Sequence, residues 1–118
     1  REDVEARLHD ETGRYFNLVA ADRINMVAGF AEASLRSDYV NGCDTSPVVF
    51  LEGIFVLPGH RLLGIATRFC DAVAAWGRSM GCIEFASDAL VENLESHKFH
   101  AAAGFEETGR VVYFRKRL

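Results

Sequence analysis

The stretch "VVFLEGIFVLPGHRLLGIATRF", residues 48–69, joins an almost wholly apolar run to the start of a helical pattern. Residues 48–57 are typical of a strand that is covered on both faces. A helix is predicted over residues 64–80, ended by Gly81, and its apolar positions have helical spacing: Ile65, Phe69, Val73, Trp76 and Met80. "CIEFAS", residues 82–87, is a second buried strand. Strand, helix and strand in this order predict a βαβ unit with a parallel pair and a right-handed crossover.

The segments before this unit carry shorter patterns. "YFNLVA" (15–20) and "MVAGFAEASL" (26–35) are strand-like runs, and the turn between them predicts a hairpin meander. "RSDYVNGCDTSP" (36–47) is dense in turn formers and predicts a loop. "REDVEARLHD" (1–10) predicts a short helix.

The segments after the unit complete the expected fold. "ESHKFHAAA" (95–103) predicts a short helix closed by Gly104, and "RVVYFRK" (110–116) predicts a final strand. At 118 residues and 49% hydrophobic, the chain is expected to form one domain, residues 1–118. The mixture of strands and helices predicts an α/β (α+β) fold, with a mixed central sheet flanked by helices.

Charge and cysteine content restrict the partners. The formal net charge of −4 argues against binding to a nucleic-acid backbone, which needs clustered Lys and Arg, and favours cationic partners. Cys43, Cys70 and Cys82 share no metal or redox spacing, so a reducing, cytoplasmic setting is expected. No apolar run is long enough to span a bilayer, and the first residues are charged, unlike a signal peptide.

The predicted helix at 64–80 begins without a Ser, Thr, Asp or Asn that could cap it. Backbone amides at such a start hold phosphate groups well, and Gly64 and Ala66 leave room for a diphosphate to approach. Gly59 and Gly64 have the spacing of a P-loop, but Ile65 and Ala66 replace its Lys and Ser/Thr, so nucleotide hydrolysis is disfavoured. The alternative is a glycine turn and a helix that bind no ligand.

Two motifs in order then indicate a family. Arg61-x-x-Gly64-x-Ala66, after an apolar strand, resembles the acetyl-CoA pyrophosphate loop of the GCN5-related N-acetyltransferase (GNAT) superfamily. The spacing of that superfamily's ending, N-x-x-A-x-x-[LF]-Y-x-x-x-G-F, is matched by Asn93, Ser96, Phe99, His100, Gly104 and Phe105. The resemblance implies a GNAT fold and acetyl-CoA as cofactor. The cofactor-binding residues that it implies are Ile54, Phe55, Val56, Arg61, Leu62, Leu63, Gly64, Ile65, Ala66, Asn93 and His100.

A closer resemblance covers nearly the whole chain. "DYVNGCDTSPVVFLEGIFVLP", "EFASD" and "GFEETGRVVYFRKR" are similar to the aminoglycoside 6'-N-acetyltransferases. The resemblance implies a polycationic substrate, an aminoglycoside, and a homodimer formed through the C-terminal strands. It also implies that the family's N-terminal strand and first helix are absent from this chain.

Acetyl transfer to an amine requires a deprotonated amine, a polarised thioester carbonyl and an acid for the leaving thiolate. Glu52, inside an apolar strand, is a candidate to bind the amine and accept its proton, and its alternative is an edge position or a salt bridge with an arginine. Asp88 follows the last strand of the βαβ unit, where sites in open sheets lie, and its alternative is a helix cap or turn. Tyr39 and Asp44 are loop candidates to cover the sugar rings, although an Asx-turn is favoured for Asp44.

The chain departs from the superfamily pattern at two positions. His100 stands where a tyrosine is the presumed acid, so His100 is the candidate acid here, and loss of the thiolate without it is favoured. Gly109 stands where relatives are expected to carry an acidic residue. His97 and His100 lie one helical turn apart, but no third ligand has suitable spacing, so no metal is predicted. Two other functions remain open: acetylation of another small amine, such as a polyamine, and acetyl-CoA binding without catalysis.

Overall fold

A computed structural model of the chain describes residues 3–7, 13–21, 24, 26–60 and 64–118, with backbone only for the first range. The chain divides into two compact units, Arg1–Asp88 and Ala89–Leu118. The first unit holds the whole sheet and the long helix. The second holds one short helix followed by irregular chain.

The first unit is built on one five-stranded sheet in the order β1-β2-β3-β4-β5. The first four strands are antiparallel neighbours, and β4 and β5 are parallel. In the chain, β4 and β5 are separated by a 3-10 turn, Pro58–His60, and by helix α1, Ile65–Ser79. The βαβ unit, the meander and the loop are therefore confirmed, but the buried strand predicted over residues 82–87 is wrong in extent and burial, because β5 is shorter and only half-buried. The strands are β1 Asp3–Arg7, β2 Tyr15–Ala21, β3 Val27–Arg36, β4 Val48–Val56 and β5 Phe85–Ser87.

Helix α1 packs on one face of the sheet. Its buried side chains follow the predicted helical spacing, with Ile65, Phe69 and Val73 fully enclosed. Trp76 stacks on Phe16 of β2 with ring centroids 5.1 Å apart. Because successive residues of a strand point to opposite faces, the other face remains for a site.

Part of that second face is covered by the loop between β3 and β4. Val40, from this loop, packs with Val48 and Phe50 of β4 in a small buried cluster. Cys43 and Ala86 pack against the same cluster. The cover ends after Phe50, because Glu52, the next residue of β4 whose side chain lies on this face, is exposed. Two-sided burial of residues 48–57 is thus wrong for the second half of β4.

Cys70 and Cys82 are small core residues. They are 7% and 4% exposed, and both are free thiols. Burial, with a smaller contribution from the nearby Asp71 carboxylate, raises the pKa of Cys70 to about 11. Burial also raises the pKa of Cys82.

The short helix predicted at residues 1–10 is wrong over Asp3–Arg7, which form β1. The strand pairs antiparallel with β2, with Asp3 opposite Ala21 and Arg7 opposite Asn17. "DVEAR" alternates charged and apolar residues, a period-2 pattern that suits a strand, and the edge of β2 supplies its hydrogen bonds. The remainder of the predicted helix lies outside the described residues.

The second unit contains helix α2, Leu94–Ala102, closed by Gly104 at φ 92°, so the helix predicted at 95–103 is confirmed. The predicted strand at 110–116 is wrong, because residues 105–118 have no regular secondary structure. A strand needs a neighbour for its hydrogen bonds, and this unit offers no other strand. Within the described part of the chain, neither helix has the length and apolarity to cross a membrane.

Candidate active site

The first feature of the site is the part of β4 that extends beyond the end of β5. The parallel ladder ends where Leu51 pairs with Ser87, whereas β3 stays paired with β4 as far as Val56. The predicted cofactor residues Ile54 and Phe55 lie in this extension, together with Val56. Extended ligands with amide groups can add to a strand in this way.

The second feature is the start of α1, which follows β4 in the chain. Gly64 is the N-cap residue, with φ 76° and ψ 11°, and no side chain caps the helix, as predicted. Ile65 is fully buried and Ala66 half-buried, so the first turn is anchored to the core. A Cβ built on Gly64 meets no described heavy atom within 4 Å.

The amides of such a first turn have no partner within the helix, and the helix dipole makes them attractive to an anion. Arg61, Leu62 and Leu63, the other residues predicted for this loop, lie outside the described residues. The geometry of Gly64–Ala66 is therefore the described part of a candidate phosphate site.

Glu52 occupies a β-bulge in β4. Glu32 of β3 lies opposite Gly53, and the next residue, Ala33, lies opposite Leu51, so Glu52 is the extra residue between them. Bulges redirect side chains and are frequent beside active sites. The strand pattern alone could not reveal this bulge, because it depends on the register with β3.

The Glu52 carboxylate forms an ion pair with Arg36 of β3. Arg36 Nη2 donates to Oε1 at 2.8 Å and Nε donates to Oε2 at 3.1 Å, in a two-pronged geometry. The Ser34 hydroxyl also donates to Oε2. The two charged side chains are 42% and 35% exposed, so the salt-bridge alternative for Glu52 holds, but at a half-exposed site. Ser34 and Arg36 were not identified from the sequence.

Asp88 lies beside Glu52 along the sheet. Leu51 of β4 and Ser87 of β5 form the last pair of the parallel ladder. Glu52 directly follows Leu51 and Asp88 directly follows Ser87, so both acidic residues lie at the end of the ladder. Asp88 is exposed. The helix-cap alternative for Asp88 is wrong, because Asn93 caps α2.

A further carboxylate, that of Glu32, was missed by the sequence analysis. A Cβ built on Gly53 would lie 3.5 Å from Glu32 Oε1, so this side chain lies over the residue next to Glu52. Glu32, Ser34 and Arg36 alternate along β3 and share a face, which is the signal that could have revealed them. Among the described side chains of this face, the carboxylates of Glu32, Glu52 and Asp88 outnumber the guanidinium of Arg36, which suits a cationic ligand.

The loop that precedes β4 is fixed by Glu84. Its Oε1 accepts hydrogen bonds from the backbone N–H of Asp44 (2.9 Å), from that of Thr45 (2.8 Å) and from the Thr45 hydroxyl. These hydrogen bonds lower the pKa of Glu84. The Thr45 hydroxyl has the largest effect, and the two backbone amides have smaller ones. Tyr39, in the same loop, is 78% exposed and lies next to the buried Val40.

In the second unit, the two predicted cofactor residues have local partners. The Asn93 side chain accepts a hydrogen bond from the Ser96 N–H at 3.2 Å and caps α2. His100 Nδ1 lies 2.7 Å from the Ser96 carbonyl oxygen. A carbonyl only accepts, so Nδ1 carries the hydrogen, and in the neutral ring Nε2 has none to donate.

His97 and His100 are candidate metal ligands in the sequence, where no third ligand has suitable spacing. His97 Nε2 lies 3.0 Å from the Leu90 carbonyl oxygen and is thus engaged locally. Among the residues that the structure describes, no three His, Cys, Asp or Glu side chains are arranged to hold a metal ion.

Comparison with known sequences gives a consistent result. Residues 1–105 match the Acetyltransferase (GNAT) family. The chain is 62% identical over 89 residues to aminoglycoside N(6')-acetyltransferase type 1 of Salmonella typhimurium, which covers 75% of this chain and 61% of that protein. It is 49% identical over 117 residues to the Stenotrophomonas maltophilia protein of the same name, covering 99% of this chain and 75% of the relative. The chain thus spans less than two thirds of the Salmonella protein.

Solved structures extend the similarity to the fold. The crystal structure of aminoglycoside antibiotic 6'-N-acetyltransferase AAC(6')-Ih from Acinetobacter baumannii has a TM-score of 0.90 at 36% identity, and covers 100% of this chain and 99% of that one. AAC(6')-Iy, solved in complex with the bisubstrate analog CoA-S-monomethyl-acetylneamine, has a TM-score of 0.89 at 39% identity, with the same coverage.

Proposed function

Since this chain belongs to the GNAT family of acetyltransferases, we propose that it transfers the acetyl group of acetyl-CoA to the 6'-amine of aminoglycoside antibiotics. One structural observation carries the proposal: β4 extends past β5 and leads to an uncapped α1, with carboxylates at the end of the ladder. The names of the relatives supply the substrate class.

Acetyl-CoA is assigned to the extension of β4 and the start of α1. Its pantetheine arm has amide groups that suit the strand, and its diphosphate suits the first-turn amides of Gly64–Ala66. When bound, acetyl-CoA supplies the thioester that is attacked. The backbone at Ile54 and Phe55 would orient that thioester relative to Glu52, which lies two residues earlier in the same strand.

The aminoglycoside is assigned to the carboxylates of Glu32, Glu52 and Asp88, with Tyr39 above the sugar rings. The reaction is direct transfer in a ternary complex. The amine, having passed one proton to Glu52 or Asp88 directly or through water, would attack the acetyl carbonyl, so that the C–S bond breaks as the C–N bond forms. The second proton that leaves the nitrogen would go to the departing thiolate or to water. The thiolate leaves without a proton from His100.

Two competing functions share the cofactor site. Acetylation of a polyamine is favoured by the same carboxylates, because a polyamine is also a polycation. A binding module without catalysis would keep the α1 start but would not turn over. The proposal includes a cytoplasmic location, favoured by the free cysteines Cys43, Cys70 and Cys82.

The proposal also includes a homodimer formed through the C-terminal segment. This segment is β-competent, and its apolar side chains are exposed: Val112 (76%), Tyr113 (83%) and Phe114 (91%). A strand of a second copy would supply the missing hydrogen-bond partner. Sedimentation of the full chain and of a Tyr113→Asp variant tests this proposal. The wild-type chain should sediment as a dimer and the variant as a monomer, and two monomers would contradict the proposal.

The activity is tested by incubating the chain with acetyl-CoA and a panel of amines, and detecting the acetylated product by mass. The panel contains a kanamycin-type aminoglycoside, an aminoglycoside with a 6'-hydroxyl in place of the amine, and a polyamine. Acetylation of the first alone supports the proposal. Preferential acetylation of the polyamine supports the second function, and acetyl-CoA binding without any product supports the third.

A further inference from the structure

Arg36 is held on two sides. Its guanidinium lies 3.5 Å above the centroid of the Phe50 ring, and its N–H groups point at the Glu52 carboxylate. Phe50 is itself only 4% exposed and packs in the cluster with Val40, so the surface beneath the guanidinium is part of the core. Arg36 therefore presents its donors from a fixed position, although its side chain is partly exposed.

The donors are distributed unequally between the two oxygens of Glu52. Oε2 accepts from the Ser34 hydroxyl, from Arg36 Nε at 3.1 Å and from Arg36 Nη2 at 3.0 Å. Oε1 accepts from Arg36 Nη2 at 2.8 Å. An ionised carboxylate has about four acceptor positions. Oε2 is thus fully engaged, and Oε1 keeps capacity for one more donor.

We propose that Arg36 is a positioning residue for the reaction: with Ser34 it saturates Oε2 and turns Oε1 of Glu52 towards the substrate amine or the water that takes its proton. This inference rests on the proposed amine acetylation. Glu52 is the extra residue of a bulge, so the ladder alone does not fix its side chain. The fork from Arg36 fixes it, because two parallel N–H···O bonds set both distance and direction.

The positioning role of Arg36 makes predictions that a purely structural ion pair does not make. Ion pairs between half-exposed groups contribute little to stability, so loss of Arg36 should leave the fold intact. Loss of a cation beside a polycation site also removes repulsion, so the substrate should bind as tightly as before or more tightly. Loss of positioning should nevertheless slow the chemical step, because small displacements of a reacting group are costly.

The test uses the full chain with acetyl-CoA and a kanamycin-type aminoglycoside. Arg36→Met keeps most of the apolar stem over Phe50 and removes the fork. We expect kcat to fall at least about tenfold, a conservative figure for a misplaced proton acceptor. KM for the aminoglycoside should stay unchanged or fall, and KM for acetyl-CoA should stay within about twofold of the wild-type value. Arg36→Lys keeps the charge without the fork and should recover only part of kcat.

Arg110→Met is the matched control, because Arg110 forms the same two-pronged contact with Glu107 at 3.0 and 3.1 Å, outside the sheet. It should have wild-type kinetics. In a Glu52→Gln background, Arg36→Met should produce no further loss of kcat, since the group it positions is gone. Additive losses in the double variant, or a kcat of Arg36→Met within twofold of wild type, would overturn the inference.

Calorimetric titration separates this inference from the proposed function. If the wild-type chain acetylates no amine, the proposed function fails, and aminoglycoside binding still decides the role of Arg36. Arg36→Met should bind the aminoglycoside at least as tightly as wild type, and Glu52→Gln should bind it more weakly. Weaker binding by Arg36→Met, with an unchanged melting temperature, would show that Arg36 does not act through Glu52.

Discussion

Gly77 of α1 packs directly against Val49 of β4: a Cβ built on the glycine would lie 2.5 Å from Val49 Cγ1 and 2.8 Å from Val49 Cβ. Val49 belongs to the rung that opens the β4–β5 ladder, where it pairs with Phe85. Helix and sheet thus approach each other closely at the start of the parallel pair. This contact holds α1 at a fixed height above the strands whose other end carries the site.

Gly77→Ala should therefore destabilise the protein, although alanine favours a helix by about 1 kcal/mol relative to glycine. Val49 is β-branched and cannot turn away easily, and overpacking of a core typically costs about 1–3 kcal/mol. Denaturant unfolding measures the loss. Val49→Ala in the same chain should recover part of it, and Gly109→Ala, where a Cβ meets no described atom within 4 Å, is the neutral control.

Alanine substitutions at Gly64 and Gly81 separate the loss of stability caused by backbone strain from the loss of acetyl-CoA affinity. Both glycines have positive φ, 76° and 89°, and a Cβ at either meets no described heavy atom within 4 Å. Alanine at each should cost about 1–2 kcal/mol of stability from the left-handed conformation. Only Gly64→Ala should weaken acetyl-CoA binding, by at least about tenfold, because it obstructs the first turn of α1. Equal affinities in the two variants would remove the phosphate site.

The acidic face makes a prediction about substrate binding. Glu32→Gln and Asp88→Asn should each weaken aminoglycoside binding by about 1–3 kcal/mol, the scale of a hydrogen bond to a charged group, and should leave acetyl-CoA binding unchanged. Higher salt should reduce both effects, because the site is exposed. Glu107→Gln is the control, since Glu107 pairs with Arg110 in the second unit. Wild-type affinity in both site variants would leave the aminoglycoside assignment without local support.

The βαβ unit and the uncapped start of α1 could be predicted because both are local patterns. Apolar spacing from Ile65 to Val73 fixes the buried side of the helix, and the lack of a capping side chain before Ile65 is visible in the sequence. The partners of Glu52 could not be predicted in the same way. Arg36 lies 16 residues away, and the contact depends on the register between β3 and β4.

The errors at the chain's ends also have physical reasons. Asp3–Arg7 has neither the length nor the caps that identify a helix, and its strand conformation depends on the edge of β2. Residues 110–116 have strand-like composition, but composition supplies no hydrogen-bond partner. The anchoring of the loop by Glu84 depends on a contact across 40 residues, to Asp44. A charged residue within "CIEFAS" was the signal for it.

Glu84 also predicts how the loop responds to acid. Because its pKa is lowered in the folded protein, first by the Thr45 hydroxyl, its contribution to stability is present above the ordinary glutamate pKa of about 4.3 and is lost as the pH falls through the lower, folded value. The NMR shift of the Thr45 amide should follow this titration, with a midpoint below about 4.3. Glu84→Gln should abolish the transition, and a midpoint above that value would contradict the hydrogen-bonding account.

His100 should contribute little to protonation of the leaving thiolate. Its Nδ1–H is donated to the Ser96 carbonyl oxygen, so this hydrogen is already engaged within α2. A thiolate is also a tolerable leaving group near neutral pH, with a pKa of roughly 8.5 in cysteine. His100→Phe keeps an aromatic ring between Phe99 and Phe105, whose centroids lie 5.0 and 5.2 Å from that of His100. Its single-turnover rate with saturating aminoglycoside should stay within about tenfold of wild type. A drop beyond about a hundredfold, the scale for losing a general acid, would assign that role to His100.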